Sequence, residues 1–168
     1  MADSSKHQAP FRRRREQKTD YEQRLKLLKS GKPRAVIRTS NRHTRVHLAY
    51  FNRNGDENEA QTISKELEEY DWEYNTGNVP AAYLTGYLAG KKTEAEEAIL
   101  DIGLREMKTG GRIFAALKGL QDAGVEIPAG EEAFPAEKRI RGEHIKEMRD
   151  EDVPENFEEV KENIEGEF

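Results

Sequence analysis

Three strand-like runs in the first half of the chain constrain the fold most. Residues 34–39 and 44–51 are rich in Val, Ile, Thr and aromatic side chains, which favour a pleated, half-buried backbone. The residues between them, 40–43, are polar, and Asn54-Gly55 is a strong hairpin signal ahead of a third run at residues 59–63. This order predicts an antiparallel meander. Alternation within the second run places its apolar side chains on one face and its basic side chains on the other.

A helix, a buried strand and a second helix follow the meander. Asn78 is a good N-cap for the first helix, whose interior contains Gly86 and Gly90. Glycines are unusual there and indicate the close approach of a neighbouring element. Residues 98–102 form an apolar run that indicates a parallel strand, and the second helix opens at residues 110–112. The succession predicts an α/β sandwich with a mixed sheet.

Charge is distributed very unevenly along the chain. Residues 1–53 hold 15 Lys and Arg against 4 Asp and Glu, a local net charge of +11, although the whole chain carries −5. The remaining residues must therefore carry −16. A strongly basic block kept in a net-acidic protein indicates a polyanionic partner, and we interpret this block as binding structured RNA.

Composition limits the other possibilities. Charged residues make up 36% of the chain and hydrophobic residues 35%, so we expect a modest core. The chain has no cysteine, which excludes disulfides and thiolate metal sites. No apolar run approaches the roughly 18 residues of a membrane span, and the N-terminus lacks the apolar segment of a signal peptide. These features predict a cytosolic protein.

The sequence divides into an arm at residues 1–15, a domain at 16–128 and an extension at 129–168 that is basic and then acidic. The arm has an extended character, and two interpretations stay open: a solvated tail, or a segment that orders in an RNA groove. The acidic end of the extension carries a short amphipathic helix after Pro154, either docked or solvated.

A basic helix connects the arm to the meander. Thr19 and Glu22 have the spacing of a capping box, and Tyr21, Leu25 and Leu28 form a narrow apolar stripe. If this stripe packs on the sheet, it holds the basic side chains of the helix in fixed positions. If it does not, the helix is held only by RNA.

No catalytic constellation emerges from the sequence. His43 and His47 are four residues apart on a predicted strand, roughly 13 Å, which is too far for one metal ion. Asp101 stands alone on the parallel strand, whereas a metal-dependent nuclease needs several convergent carboxylates. Residues 110–112 could contact a polymer phosphate or form an ordinary glycine turn, and we leave both open. We therefore predict a non-enzyme without cofactor or metal.

Blocks spread over almost the whole chain resemble a known family. They are residues 12–16, 18–21, 24–25, 30–34, 40–43, 76–80, 82–86, 100–104, 110–115, 122–124 and 141–145. Together they resemble the archaeal 5S-rRNA-binding protein of the large ribosomal subunit, family eighteen in the universal scheme. The acidic tail at residues 150–168 departs most from the family's pattern.

The resemblance implies a three-layer α/β sandwich with a mixed sheet, of the ribonuclease-H-like type but without its activity. It implies binding to 5S rRNA and 23S rRNA in the central protuberance, beside the other 5S-binding large-subunit protein, family five. The RNA contacts it implies are Arg12, Arg13, Arg14, Arg15, Lys18, Arg24, Lys32, Arg34, Arg42, His43, Arg112 and Arg141. The alternatives are a generic double-stranded-RNA-binding module outside the ribosome and a nuclease on the same scaffold.

Overall fold

A four-stranded mixed sheet forms one side of the molecule in the computed structural model, which describes residues 9–168. The elements are α1 (Arg12–Arg15), α2 (Tyr21–Leu28), β1 (Arg34–Thr39), β2 (Thr44–Tyr50), β3 (Glu57–Ile63), a 3-10 helix (Ser64–Tyr70), α3 (Val79–Lys92), β4 (Ile99–Asp101), α4 (Arg112–Asp122), a short 3-10 turn (Glu131–Ala133), α5 (Glu137–Arg141), α6 (Glu143–Arg149) and α7 (Val153–Glu167). The strand order is β3-β2-β1-β4. The meander is antiparallel and β4 runs parallel to β1, as the sequence predicts.

Helices α3 and α4 cover one face of the sheet and cross each other very closely. Ile37 and Leu48 of the sheet are fully buried in a cluster that includes Leu117 of α4. A Cβ placed on Gly86 would lie 1.9 Å from the carbonyl oxygen of Ala116, so only glycine fits at the crossing. The predicted reason for glycine inside this helix is confirmed.

The acidic C-terminal helix docks on the outer side of α3. Val153, Phe157, Val160 and Ile164 of α7 are buried in a second apolar cluster with Trp72 and residues of α3. The layers are therefore the sheet, then α3 with α4, then α7. The predicted α/β class with a mixed sheet is confirmed, and the relation to ribonuclease-H-like folds stays an expectation of the resemblance.

The N-terminal segment differs from the sequence prediction. Residues 12–15 form a single helical turn, whereas the sequence predicted an extended arm. Residues 1–8 of that arm lie outside the described residues. The capping prediction was wrong, because Asp20 is the N-cap of α2. Its carboxylate accepts hydrogen bonds from the backbone N–H groups of Glu22 and Gln23 at 2.9 and 3.1 Å. The hydroxyl of Thr19 instead accepts a bond from Arg13.

Helix α2 does not pack on the sheet through an apolar stripe. It has no buried residue, and Leu25 is 54% exposed. Of the two alternatives that the sequence left open, burial of this stripe in the core is therefore excluded. No helix within residues 9–168 combines the length and apolarity needed to cross a membrane.

Candidate nucleic-acid interface

The sheet face opposite α3 and α4 is polar and basic. The pairing register aligns Arg38 with Arg45 and Val36 with His47, so these side chains share one face across β1 and β2. Arg45 is exposed, and 41% of the Arg38 side chain is accessible. Desolvation lowers the pKa of His47, and the nearby charges of Arg38 and Arg34 lower it further, so His47 is neutral at pH 7. The net positive charge of this face comes from arginine.

Arg34 lies on the same face but is withdrawn from the surface. It is 3% exposed, and its Nη1 donates to Oδ2 of Asp101 at 2.7 Å while its Nη2 donates to Asp56. Asp101 also accepts a bond from Arg38 Nη2 at 2.8 Å. Burial by itself raises the pKa of Asp101, but the bonds and charges of Arg38 and Arg34 outweigh it and hold the pKa below its ordinary value. Arg34 therefore acts as a buried counter-ion.

An ion pair ties α2 to the body of the protein. Arg24 Nη2 donates to both carboxylate oxygens of Asp56, at 2.8 and 3.0 Å, and Asp56 belongs to the loop between β2 and β3. Because α2 has no fully buried side chain, this pair is one of the contacts that position the helix on the rest of the protein. A phosphate group could replace Asp56 as the partner of Arg24, since both offer paired oxygens to a guanidinium.

The arm places four arginines in solvent beside α2. Arg12 to Arg15 are all exposed, and the Phe11 ring contacts the Tyr21 ring with centroids 5.2 Å apart. Lys18 pairs with Glu16 at 2.9 Å, and Lys32 pairs with Glu97. These pairs are exposed, so they add little stability and exchange readily for a phosphate partner.

A cleft of about 910 Å³ lies at the other end of β1. Arg112 Nη1 donates to the carbonyl of Gly77 at 3.0 Å, which joins the start of α4 to the loop before α3. The hydroxyl of Thr76 donates to the carbonyl of Arg42 at 2.9 Å, which joins that loop to the β1–β2 turn. Arg105 donates to the carbonyl of Thr39 at 2.8 Å. Segments far apart in sequence thus meet at one site.

Positive charge dominates the cleft. Its cationic lining residues are Arg105, Lys108, Arg112, Arg139 and Arg149. Its carboxylates are Glu106 and Glu151. Helices α3 and α4 both begin here, and their free N–H groups add partial positive charge. Burial, and then the neighbouring charge of Arg105, lowers the pKa of Arg112. The cleft is therefore suited to anions.

The predicted contact residues divide between these regions. The arginines of the arm, Lys18 and Arg24 gather at the N-terminal end, whereas Arg112 lines the cleft and Arg42 is exposed in the adjoining turn. His43 is half-buried, with Nδ1 3.1 Å from the hydroxyl of Thr76. Arg141 is exposed and pairs with Glu137 at 2.8 Å and Glu158 at 3.5 Å.

Sequence reasoning missed part of the lining of the cleft. Arg139 and Arg149 belong to a basic cluster that is visible in the C-terminal extension, but nothing local to that segment shows that it faces α4. Arg105 and Lys108 carry no sequence signal of their own. The available hint is that five of the resembling blocks contribute to the cleft or to the turn that adjoins it: residues 40–43, 76–80, 100–104, 110–115 and 141–145.

An exposed basic arm, an arginine-bearing sheet face and a cationic cleft together define an α/β protein of the polyanion-binding class. No group of three or more His, Cys, Asp or Glu side chains within residues 9–168 is placed to hold a metal ion.

Comparison with known proteins identifies the family. The family described as ribosomal large subunit proteins 60S L5 and 50S L18 matches residues 5–96 and 89–130. The chain is 48% identical to large ribosomal subunit protein uL18 of Methanococcoides burtonii, over 100% of this chain and 99% of that protein. It is 44% identical to uL18 of Haloarcula marismortui, over 98% of this chain and 96% of that protein. It is 55% identical to uL18 of Korarchaeum cryptofilum, over 86% of this chain and 76% of that protein.

The chain therefore belongs to the uL18 family of large-subunit ribosomal proteins. This confirms the family that the sequence blocks resemble. It also establishes a structural role in the ribosome rather than an enzymatic one.

Proposed function

We propose that the chain binds 5S rRNA and attaches it to 23S rRNA in the central protuberance, beside the other 5S-binding large-subunit protein. The observation that carries this proposal is the segregation of charge across the layers of the fold. Arg38 and Arg45 lie on the open sheet face, whereas the exposed carboxylates of α7, including Glu158 and Glu162, lie beyond the α3–α4 layer. One side of the molecule is suited to phosphate, and the opposite side, apart from Arg141 where it pairs with Glu158, would repel it.

Two basic groups at opposite ends of β1 support a bridging role. The arm and α2 adjoin the start of β1 through the contacts of Arg24 and Arg34 with Asp56. The cleft adjoins its end through the bond from Arg105 to Thr39. A strand of six residues spans about 20 Å, comparable to the width of an RNA duplex. Separate RNA segments can therefore be held at the two ends.

The contacts proposed for RNA are those that the structure leaves accessible. They are Arg12, Arg13, Arg14, Arg15, Lys18, Arg24, Lys32, Arg42, His43, Arg112 and Arg141, together with Arg38, Arg45 and the cationic lining of the cleft. Arg34 is left out because its buried guanidinium is already paired with the carboxylates of Asp101 and Asp56. Phosphate contacts would supply most of the affinity, and the shape of an A-form helix and its loops would supply the selectivity.

Competition binding tests the proposal. Labelled 5S rRNA should be titrated with the full chain, and the complex challenged with unlabelled 5S rRNA or with an unrelated RNA duplex of equal length. We expect at least a tenfold preference for 5S rRNA. Equal competition by the two RNAs would support a generic double-stranded-RNA-binding module instead.

Footprinting of the same complex tests the bridging role. Two separated protected segments are expected when 5S rRNA is combined with a fragment of 23S rRNA, one on each RNA. Protection of a single segment on 5S rRNA, with none on 23S rRNA, would contradict it.

A further inference from the structure

The cleft is larger and more apolar than contacts with phosphate groups require. Its volume of about 910 Å³ falls within the usual range for sites that enclose a small organic ligand, about 300–1,000 Å³. A phosphate group needs only N–H donors and positive charge. Leu104, Ile113, Ile145 and Met148 line the same space as Arg112, so an apolar group and an anionic group can bind side by side.

Two of these apolar side chains are unusually exposed. Leu104 is 53% exposed and Met148 is 74% exposed, although each lines a concave site surrounded by charged residues. Exposed apolar side chains that line one concave site with a polar rim are typical of a binding site. A flat apolar ligand that covered them would remove their surface from water.

His144 supplies an independent observation. It lines the cleft, and its Nδ1 is buried without a hydrogen-bond partner among residues 9–168. A buried polar atom of this kind usually has a partner, which a water molecule or a polar group on a bound ligand can supply. The edge of a nucleobase or a ribose hydroxyl offers such a group.

We propose that the cleft holds a single nucleotide unit. Its phosphate lies on the cationic rim near Arg105, Arg112 and Arg139, its base lies against Leu104 and Met148, and a polar group of the base or ribose bonds His144. Given the proposed function, on which this inference rests, the nucleotide is an unstacked residue of the bound rRNA. A free mononucleotide has the same chemistry, and the experiment below distinguishes these two sources.

The first experiment truncates the apolar side chains that line the cleft without changing charge. Leu104→Ala and Met148→Ala should bind 5S rRNA about five- to tenfold more weakly, because each loses the contact of two or three apolar heavy atoms with the base. The slope of log affinity against log salt should stay unchanged, since no phosphate contact is lost. Met107→Ala is the matched control: Met107 is 70% exposed in the same loop as Leu104 but does not line the cleft.

The second experiment measures the binding of small ligands to the wild-type chain. Adenosine monophosphate and ribose 5-phosphate are titrated separately while the amide resonances of Gly111 and Arg112 are followed by NMR. Tighter binding of the mononucleotide by about fivefold or more supports the site, and shows that a free nucleotide can enter it. Loss of rRNA affinity in Leu104→Ala and Met148→Ala alone also supports the site and identifies an RNA-borne nucleotide as its ligand.

The inference is overturned if Leu104→Ala and Met148→Ala both bind rRNA with the same affinity as Met107→Ala and the two small ligands also bind with equal affinity. Failure of the proposed function is a separate result, in which the wild-type chain does not bind 5S rRNA at any salt concentration. The comparison of mononucleotide with ribose 5-phosphate still decides the nature of the cleft in that case.

Discussion

Removing the carboxylate of Asp101 should destabilise the protein strongly, although Asp101 takes no part in the proposed RNA contacts. Its Oδ2 accepts a bond from Arg34 at 2.7 Å, and its Oδ1 accepts bonds from Arg38 at 2.8 Å and from the N–H of Gly103 at 2.9 Å. Arg34 and Asp101 are 3% and 6% exposed. Asp101→Ala leaves the buried Arg34 with Asp56 as its single carboxylate partner.

The expected cost follows from these contacts. Removing one partner of a buried ion pair costs about 3–5 kcal/mol, because the remaining charge stays desolvated. Since Arg34 keeps Asp56, we expect about 3 kcal/mol, at the lower end. For a domain of this size that loss corresponds to a fall in Tm of about 6–12 °C. Asp56→Ala is the matched control, and its cost should be smaller because Asp56 is more exposed than Asp101.

The assay is urea unfolding of the free proteins, followed by circular dichroism at several pH values. The folded-state pKa of Asp101 lies below its ordinary value of 3.8, so its contribution is complete above the ordinary pKa and is lost as the pH falls through the folded-state value. The wild type should therefore lose its advantage over Asp101→Ala below about pH 4. A cost under about 1 kcal/mol at pH 7, the level of an exposed pair, would refute the assignment of Arg34 as a buried counter-ion.

Three further predictions concern packing and charge. Leu25→Ala should change the free energy of unfolding by less than about 0.5 kcal/mol because Leu25 is exposed, whereas Leu117→Ala in the core should cost about 2–5 kcal/mol. Thermal denaturation compares the two variants, and an equal loss of stability would place α2 in the core. Gly86→Ala should destabilise the protein by about 2 kcal/mol or more because its Cβ would meet Ala116. Gly166→Ala, with nothing within 4 Å of its Cβ, should stabilise α7 by about 0.5 kcal/mol. Chemical denaturation that ranks the two variants in the opposite order would contradict the crossing geometry. The double variant Arg14→Ala/Arg15→Ala should reduce the magnitude of the slope of log affinity for 5S rRNA against log salt concentration by about one to two. Lys161→Ala on the acidic side should leave this slope unchanged. Lower affinity at a constant slope would indicate specific contacts instead.

Local sequence signals predicted most of the secondary structure. The bounds of β1, the N-cap at Asn78 and the start of α4 follow from alternation, capping and glycine placement, which act between near neighbours. Strand β3 begins at Glu57, two residues before the predicted run at 59–63. The start of α2 was harder to predict from the sequence, because Thr19 and Asp20 are adjacent residues that can both cap a helix. Asp20 caps it because its carboxylate reaches two backbone N–H groups at once.

The position of α2 could not be predicted from its pattern. Tyr21, Leu25 and Leu28 share a helix face in the sequence, and such a face usually packs on a core. Here α3 and α4 already supply the apolar cover of the sheet, and α2 is held through Arg24 and its ion pair with Asp56. Periodicity shows that a helix has an apolar side but does not show whether a partner surface is free.

Alternation, caps and local charge are properties of neighbouring residues, so they predict an α/β protein with a basic N-terminal region. Which arginines face solvent depends instead on the tertiary structure. Arg34 and Arg38 stand four residues apart on one strand and one face, and no local signal distinguishes them. Arg34 is buried because Asp56 and Asp101, 22 and 67 residues further along the chain, converge on it, whereas 41% of the Arg38 side chain stays exposed. A charge is withdrawn from water only where distant counter-charges assemble around it, and that assembly is a property of the fold.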